Sequence, residues 1–178
     1  MHPTQESKNE PVRTEEPLRA IRIKDSCRAL GMAVSYLMTE ASFARLPFGH
    51  WARVLVGQIN REHYIFAVRG NQIVGFAGWL LTDEAGAERW LAGKDELKNG
   101  RLSGGDCLLI NAWKSASAEV NAFLINELRL VAKRKDLRKI YAKRFYPDGR
   151  VRPVTVSVNG FVGSHLARRN DAGTHAVT

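Results

Sequence analysis

The chain has 178 residues, 44% of them hydrophobic and 25% charged, with a formal net charge of +9. That suffices for one domain with a single core, and no run is long enough to span a bilayer. Cys27 and Cys107 lack metal-ligand spacing and read as reduced, packed thiols, and Met1 to Glu6 has no basic segment leading into an apolar one; a cytoplasmic protein is the expectation.

Residues 1–24 are polar and proline-containing and predict a disordered arm, followed by a domain over 25–162 and a patternless tail over 163–178. Asp25 or Ser26 can cap a first helix, in which Leu30, Val34, Leu37, Met38 and Ala41 recur at helical spacing from Cys27 to Arg45. Pro47 ends it. A second short helix carries Trp51, Val54, Leu55 and Ile59 on its apolar stripe and leaves Arg53, Gln58 and Arg61 toward solvent or a site. Two β-rich runs, His63–Val68 and Ile73–Leu81, flank the turn signal Arg69-Gly-Asn-Gln72 and predict a hairpin. Gly75 and Gly78 inside its second strand suggest a bulge or a close backbone approach. A helix from Asp83 to Leu91 with Trp90 on its buried side and a loop from Lys98 to Gly105 lead to a third apolar run.

That run, Asp106-Cys-Leu-Leu-Ile-Asn-Ala-Trp113, reads as a buried strand carrying one amide, Asn111. An unpaired buried polar group costs free energy, so Asn111 must meet a fixed partner or face a cleft. Strand ends that open into helices are frequent cleft positions. The following segment, Lys114 to Glu119, contains no glycine; Ser115 or Ser117 reads as an N-cap, and Glu119 sits where the helix dipole favours an acid. A glycine-rich cradle for the pyrophosphate of coenzyme A is therefore missing at this helix start, and Arg101-Leu-Ser-Gly-Gly-Asp106 enters a strand instead. Val120, Phe123, Leu124, Leu128 and Val131 form one face of a helix from Ser117 to Lys133. Strands over Lys139–Phe145 and Val151–Val158 flank the turn Tyr146-Pro-Asp-Gly149. The order of elements predicts an α/β sandwich with a mostly antiparallel central sheet flanked by helices, the order of GNAT-like acyltransferases.

Between Arg129 and Arg152 stand ten basic residues against Asp136 and Asp148, nearly the whole charge excess. Such a cluster attracts an acidic partner: an acyl carrier protein, nucleic acid or an anionic membrane. Around Lys143-Arg-Phe-Tyr146 no nucleic-acid-binding motif is recognisable.

Leu30-Gly31, Leu46-Pro-Phe-Gly-His-Trp51, Gly57-Gln-Ile-Asn-Arg-Glu-His-Tyr64, Val74-Gly-Phe-Ala-Gly-Trp79 and Gly105-Asp-Cys-Leu-Leu-Ile-Asn-Ala-Trp113 occur in the block order of one family. Over residues 29–158 the chain resembles the RTX-toxin-activating lysine acyltransferases of the hemolysin-activating protein C type. The resemblance implies a GNAT-like fold and transfer of a fatty acyl group from acyl carrier protein, as co-substrate, to the ε-amine of lysines in a protoxin-like acceptor, with no tightly bound cofactor and no metal. Two departures stand out. The family's histidine, in a Ser-x-x-His-x-x-Trp segment, falls without gaps on Phe43 and its serine on Glu40, and its strand aspartate falls on Asn111.

The expected site is then Asn111 donating to a thioester carbonyl or orienting an amine, Trp113 walling an acyl channel and His50 or His63 relaying a proton. Lys143, Arg144 and Arg53 would meet the carrier and the phosphate of its pantetheine arm. Cys107 has no basic neighbour in its strand to make it a nucleophile. A non-catalytic module binding a carrier protein or nucleic acid is the alternative, and assembly into a homodimer stays open.

Overall fold

The computed structural model describes residues 16–94, 104–146 and 149–158. The expected loop over 98–105 falls largely outside them, and the tail over 163–178 wholly so. In chain order the elements are β1 (Leu18–Ile21), α1 (Ser26–Leu37), α2 (Ala41–Ala44), α3 (Phe48–Asn60), β2 (Tyr64–Arg69), β3 (Gln72–Thr82), α4 (Glu84–Leu91), β4 (Cys107–Ser115), α5 (Ala118–Arg134), β5 (Lys139–Phe145) and β6 (Val151–Ser157). Strand order in the six-stranded sheet follows the chain, β1-β2-β3-β4-β5-β6. Every pairing is antiparallel except β4 with β5, which are parallel and joined through α5. This is the α/β sandwich with a mostly antiparallel central sheet flanked by helices that the element order predicts.

β2 to β4 form the apolar centre. Alternation sends Ile65, Ala67, Ala77, Trp79 and Leu108 to one face, beneath Val120, Leu124, Leu128 and Val131 of α5. Tyr64, Phe66, Phe76 and Ala112 face the other way, against Ala29, Ala33 and Leu37 of α1 and Trp51, Leu55 and Ile59 of α3. α4 continues that second layer, with Ala87 over Leu80, Leu109 and Tyr141.

Three expectations are corrected. The arm expected to residue 24 ends earlier, since Leu18–Ile21 pairs antiparallel with β2 from Leu18↔Arg69 to Ile21↔Phe66. A four-residue edge strand with two exposed positions has too little alternation to be read. The helix expected over residues 27–45 breaks after Leu37: Thr39 Oγ1 donates to the Tyr36 carbonyl at 2.8 Å, and Lys114 Nζ donates to that carbonyl at 3.2 Å and to Thr39 Oγ1. The two bonds to Tyr36 satisfy one orphan carbonyl of the helix end. The buried stripe of α1 is accordingly Ala29, Ala33 and Leu37, and Met38 is 55% exposed. Finally, Cys107 is buried but Cys27 is exposed in the first turn of α1, so only one thiol is packed.

The caps follow the residue types. Asp25 accepts from the Arg28 amide at 2.8 Å, Asp83 from that of Gly86 at 2.6 Å, and Ser117 from that of Val120 at 3.2 Å. The β2–β3 hairpin turns through Gly70 and Asn71, where Gly70 takes a φ of +56°.

Candidate functional site

The register of β4 defines the site. On the β3 side, Gly78 opposes Ala112 while Trp79 opposes Ile110, so Asn111 is the extra residue of a β-bulge. On the β5 side, pairing runs from Cys107↔Lys139 to Ile110↔Ala142 and stops. Beyond that point β4 pairs only with β3 as far as Ser115, and β5 only with β6 as far as Phe145. The two parallel strands part at Asn111 and Lys143, where each continues without pairing to the other. Bulges recur next to active sites because they re-aim one side chain, as this one does.

The bulge turns Asn111 to the face covered by α3, where Gln58 Nε2 donates to Asn111 Oδ1 at 2.5 Å. Gln58 is 1% exposed and its Oε1 is buried with no donor among the described residues. Its amide crosses β3 at Gly78, where any Cβ would overlap it. Gly78 is therefore the close approach foreseen for a glycine in this strand. An unpaired buried amide group costs about 1–3 kcal/mol, an expense absent from the apolar positions around it.

Lys143 comes next to this point by register, and its ammonium lies over the Trp90 ring at 4.3 Å. Arg144 points to the opposite face of β5, over Tyr146 at 5.0 Å, with Arg150 over the same ring at 5.3 Å. Trp113 lies on the α5 face, half-buried, with Nε1 donating to Asn121 Oδ1 at 3.0 Å. His50 and Arg53 are exposed on α3. Eight residues separate His50 from Gln58, about 12 Å of helix axis. Register thus sets Asn111 and Lys143 at the same end of the β4–β5 ladder, while His50 and Arg53 lie on the exposed part of α3, Arg144 on the other face of β5 and Trp113 on the α5 face. Phe43 packs against the α1–α3 core.

His63 is buried and stacks on Trp79 with centroids 6.0 Å apart. Burial, and then the cations of Arg61, Lys135 and Arg22, hold its imidazole down to about 4, so it is neutral at pH 7. Burial pushes the Cys107 thiol up to about 12, helped by the adjacent Asp106 carboxylate, which leaves it inert as a nucleophile.

The first turn of α5 is capped by Ser117 and carries Glu119, which pairs with Arg69 at 2.5 Å. Cations of the basic segment are also engaged: Arg138 with Asp106, Lys139 with Glu84 and Arg129 with Asn126. Gln58, expected off the apolar stripe of α3 and toward solvent or a site, is instead buried and bonded to Asn111. It stands seven residues after Trp51, on the buried stripe by helical period, and its polarity disguised it.

No family model matches the chain, and no curated protein matches it. Solved structures similar to it include a Desulfovibrio desulfuricans protein assigned to the GNAT acetyltransferases, at 14% identity over 72% of each chain with a TM-score of 0.44. A Staphylococcus aureus Mu50 protein assigned as an acetyltransferase is 15% identical over 71% of this chain and 78% of its own, with a TM-score of 0.38. The loading GNATL domain of CurA from Lyngbya majuscula is 15% identical over 74% of this chain and 67% of its own, with a TM-score of 0.42. Among the described residues no helix is long and apolar enough to cross a membrane.

Proposed function

We propose that the chain is an N-acyltransferase that moves a fatty acyl group from acyl carrier protein to the lysine ε-amine of a toxin-like protein. The observation that carries this reading is the bulged Asn111 at the point where β4 and β5 part. A cleft between two splayed strands admits an extended pantetheine thioester, and an amide at its apex is an oxyanion donor. The amine nitrogen forms a bond to the thioester carbonyl carbon and the carbon–sulfur bond breaks. The departing thiolate takes up one proton, and the nitrogen gives one up.

Lys143 at the cleft and the exposed Arg144 and Arg152 beyond it suit the acidic surface and the phosphate of a carrier. Ser117 and Glu119 at the start of α5 suit free coenzyme A poorly, since they occupy the helix end that would hold its pyrophosphate. No cofactor is required for this chemistry.

The test is acyl-loaded carrier protein mixed with the chain and lysine acceptors, followed by mass. Asn111→Ala lowers turnover by on the order of 10²-fold. His50→Ala in the same assay settles the proton's route: an unaltered pH limb means that the amine deprotonates without that imidazole. Phe43, at the place of the family's histidine, favours the second reading, a carrier-binding module without chemistry. Carrier binding with no transfer by the wild type establishes it.

A further inference from the structure

We infer that Gln58 is a positioning residue that fixes which end of the Asn111 amide faces the cleft. The inference rests on the acyl-transfer reading for its consequence, but its geometry stands apart from it. Asn111 has one acceptor, Oδ1, and one donor group, Nδ2. Gln58 Nε2 takes the acceptor at 2.5 Å from a buried position on α3. What Asn111 can turn toward the parting of β4 and β5 is then its donor, the group that a thioester oxygen needs as negative charge develops on it.

The opposite arrangement is disfavoured by the kind of group it leaves unpaired. If Gln58 Oε1 accepted from Asn111, both N–H bonds of the buried Gln58 amide would lack acceptors, and Asn111 would show a carbonyl to the cleft. In the arrangement present one N–H is used, and of the two groups left over, the second N–H and Oε1, one is an acceptor, the less rare kind of unsatisfied group. Three residues distant in sequence make this possible: Gln58 reaches across, Gly78 leaves room for it, and the bulge brings Asn111 to the same face. A Gln58 on α3 that served only to fill space would have been better replaced by an apolar residue.

Side-chain amide exchange by nuclear magnetic resonance tests the orientation directly. The inference expects Gln58 NH2 protons protected from exchange and Asn111 NH2 protons exchanging fast. Protected Asn111 protons with freely exchanging Gln58 protons overturn it, whether or not the protein transfers acyl groups. Activity gives the second readout. Gln58→Leu and Gly78→Ala, which displaces the Gln58 amide, each lower kcat by about 10-fold with KM little changed, because a freed Asn111 still binds but no longer holds its donor in place. Gln58→Glu supplies the discriminating signature. As a carboxylate it can only accept and turns the amide over; protonated, it donates to Oδ1 as Gln58 does. Its rate relative to wild type at each pH therefore rises as pH falls. A flat ratio, with the variant folded by circular dichroism, overturns the positioning role. A wild type without transfer removes the acyl-transfer reading and leaves the exchange result to decide the orientation.

Discussion

The two ends of the sheet are built on opposite terms. β2 to β4 are covered on both faces, by α5 on one and α1 with α3 on the other, and Phe66, Phe76, Trp79 and Leu108 have no exposure at all. The outer part of the β5–β6 hairpin, past Ala142, is paired only within itself; Phe145 is 67% and Val151 49% exposed, among Arg144, Arg150 and Arg152. One end is buried on both faces and the other is exposed to solvent. Asn111 lies where they join, which is why it can be held from the buried side and still reach the cleft.

The largest expected effect comes from breaking the covered end. Trp79→Ala removes a fully buried indole beneath α5 and costs about 3–5 kcal/mol, whereas Phe145→Ala stays within about 0.5 kcal/mol of wild type. Thermal denaturation reads the pair as a loss of roughly 10 °C against almost none for a chain of this size. Trp79→Phe recovers most of the loss, because the buried Nε1 has no acceptor among the described residues and its removal leaves nothing unpaired. Equal losses at Trp79 and Phe145 would mean that the hairpin is as much part of the core as β3.

The next effect sharpens the comparison through pH. His63 is buried neutral beside Trp79 with Arg61, Lys135 and Arg22 around it, and its folded-state value near 4 lies below the ordinary 6.5. The unfolded chain therefore takes up the proton first as pH falls. The stability His63 contributes is complete above about 6.5, declines as pH drops toward about 4 and is flat below that, a change of about 3 kcal/mol at most. Urea midpoints between pH 7.5 and 4 measure it, and His63→Phe removes that part of the slope. A slope identical in both proteins would show that other groups carry the acid sensitivity.

The same division governs what the residues alone made legible. Apolar runs and the faces of α5 fixed β2, β3, β4 and β5, and Ser117, Asp25 and Asp83 marked their helix starts, because burial and capping leave local patterns. β1 was hidden by its four residues at a sheet edge. The break after Leu37 was hidden because Lys114, far along the chain, helps to end the helix. Asn111 was legible as a polar residue that needed a partner. Its partner was not, because nothing local in α3 distinguishes an amide that reaches across Gly78 from one that meets solvent. The glycine was a visible sign of a close approach, but it could not say what approached.

The smallest effect on stability carries the most about function. Lys143→Glu with Arg144→Glu reverses two charges on the open side of β5, one resting on Trp90 and one on Tyr146. Each loses a cation–π contact worth about 0.5–1 kcal/mol at an exposed position, so the melting temperature moves by only a few degrees. Carrier binding responds differently, since two attractions become two repulsions. At low salt, titration calorimetry should find at least a 10-fold weaker complex with acyl carrier protein, and the gap between variant and wild type should narrow as salt screens the surface. Charge reversal at Arg22 and Lys24, near the start of α1 and the end of α3, is the control, because those residues carry the same sign away from the cleft. Equal weakening by both pairs would mean that net charge alone draws the carrier. Weakening by Lys143 and Arg144 alone assigns the carrier to the strand edge beside Asn111, and binding unchanged by the Lys143 and Arg144 reversal removes the hairpin as its dock.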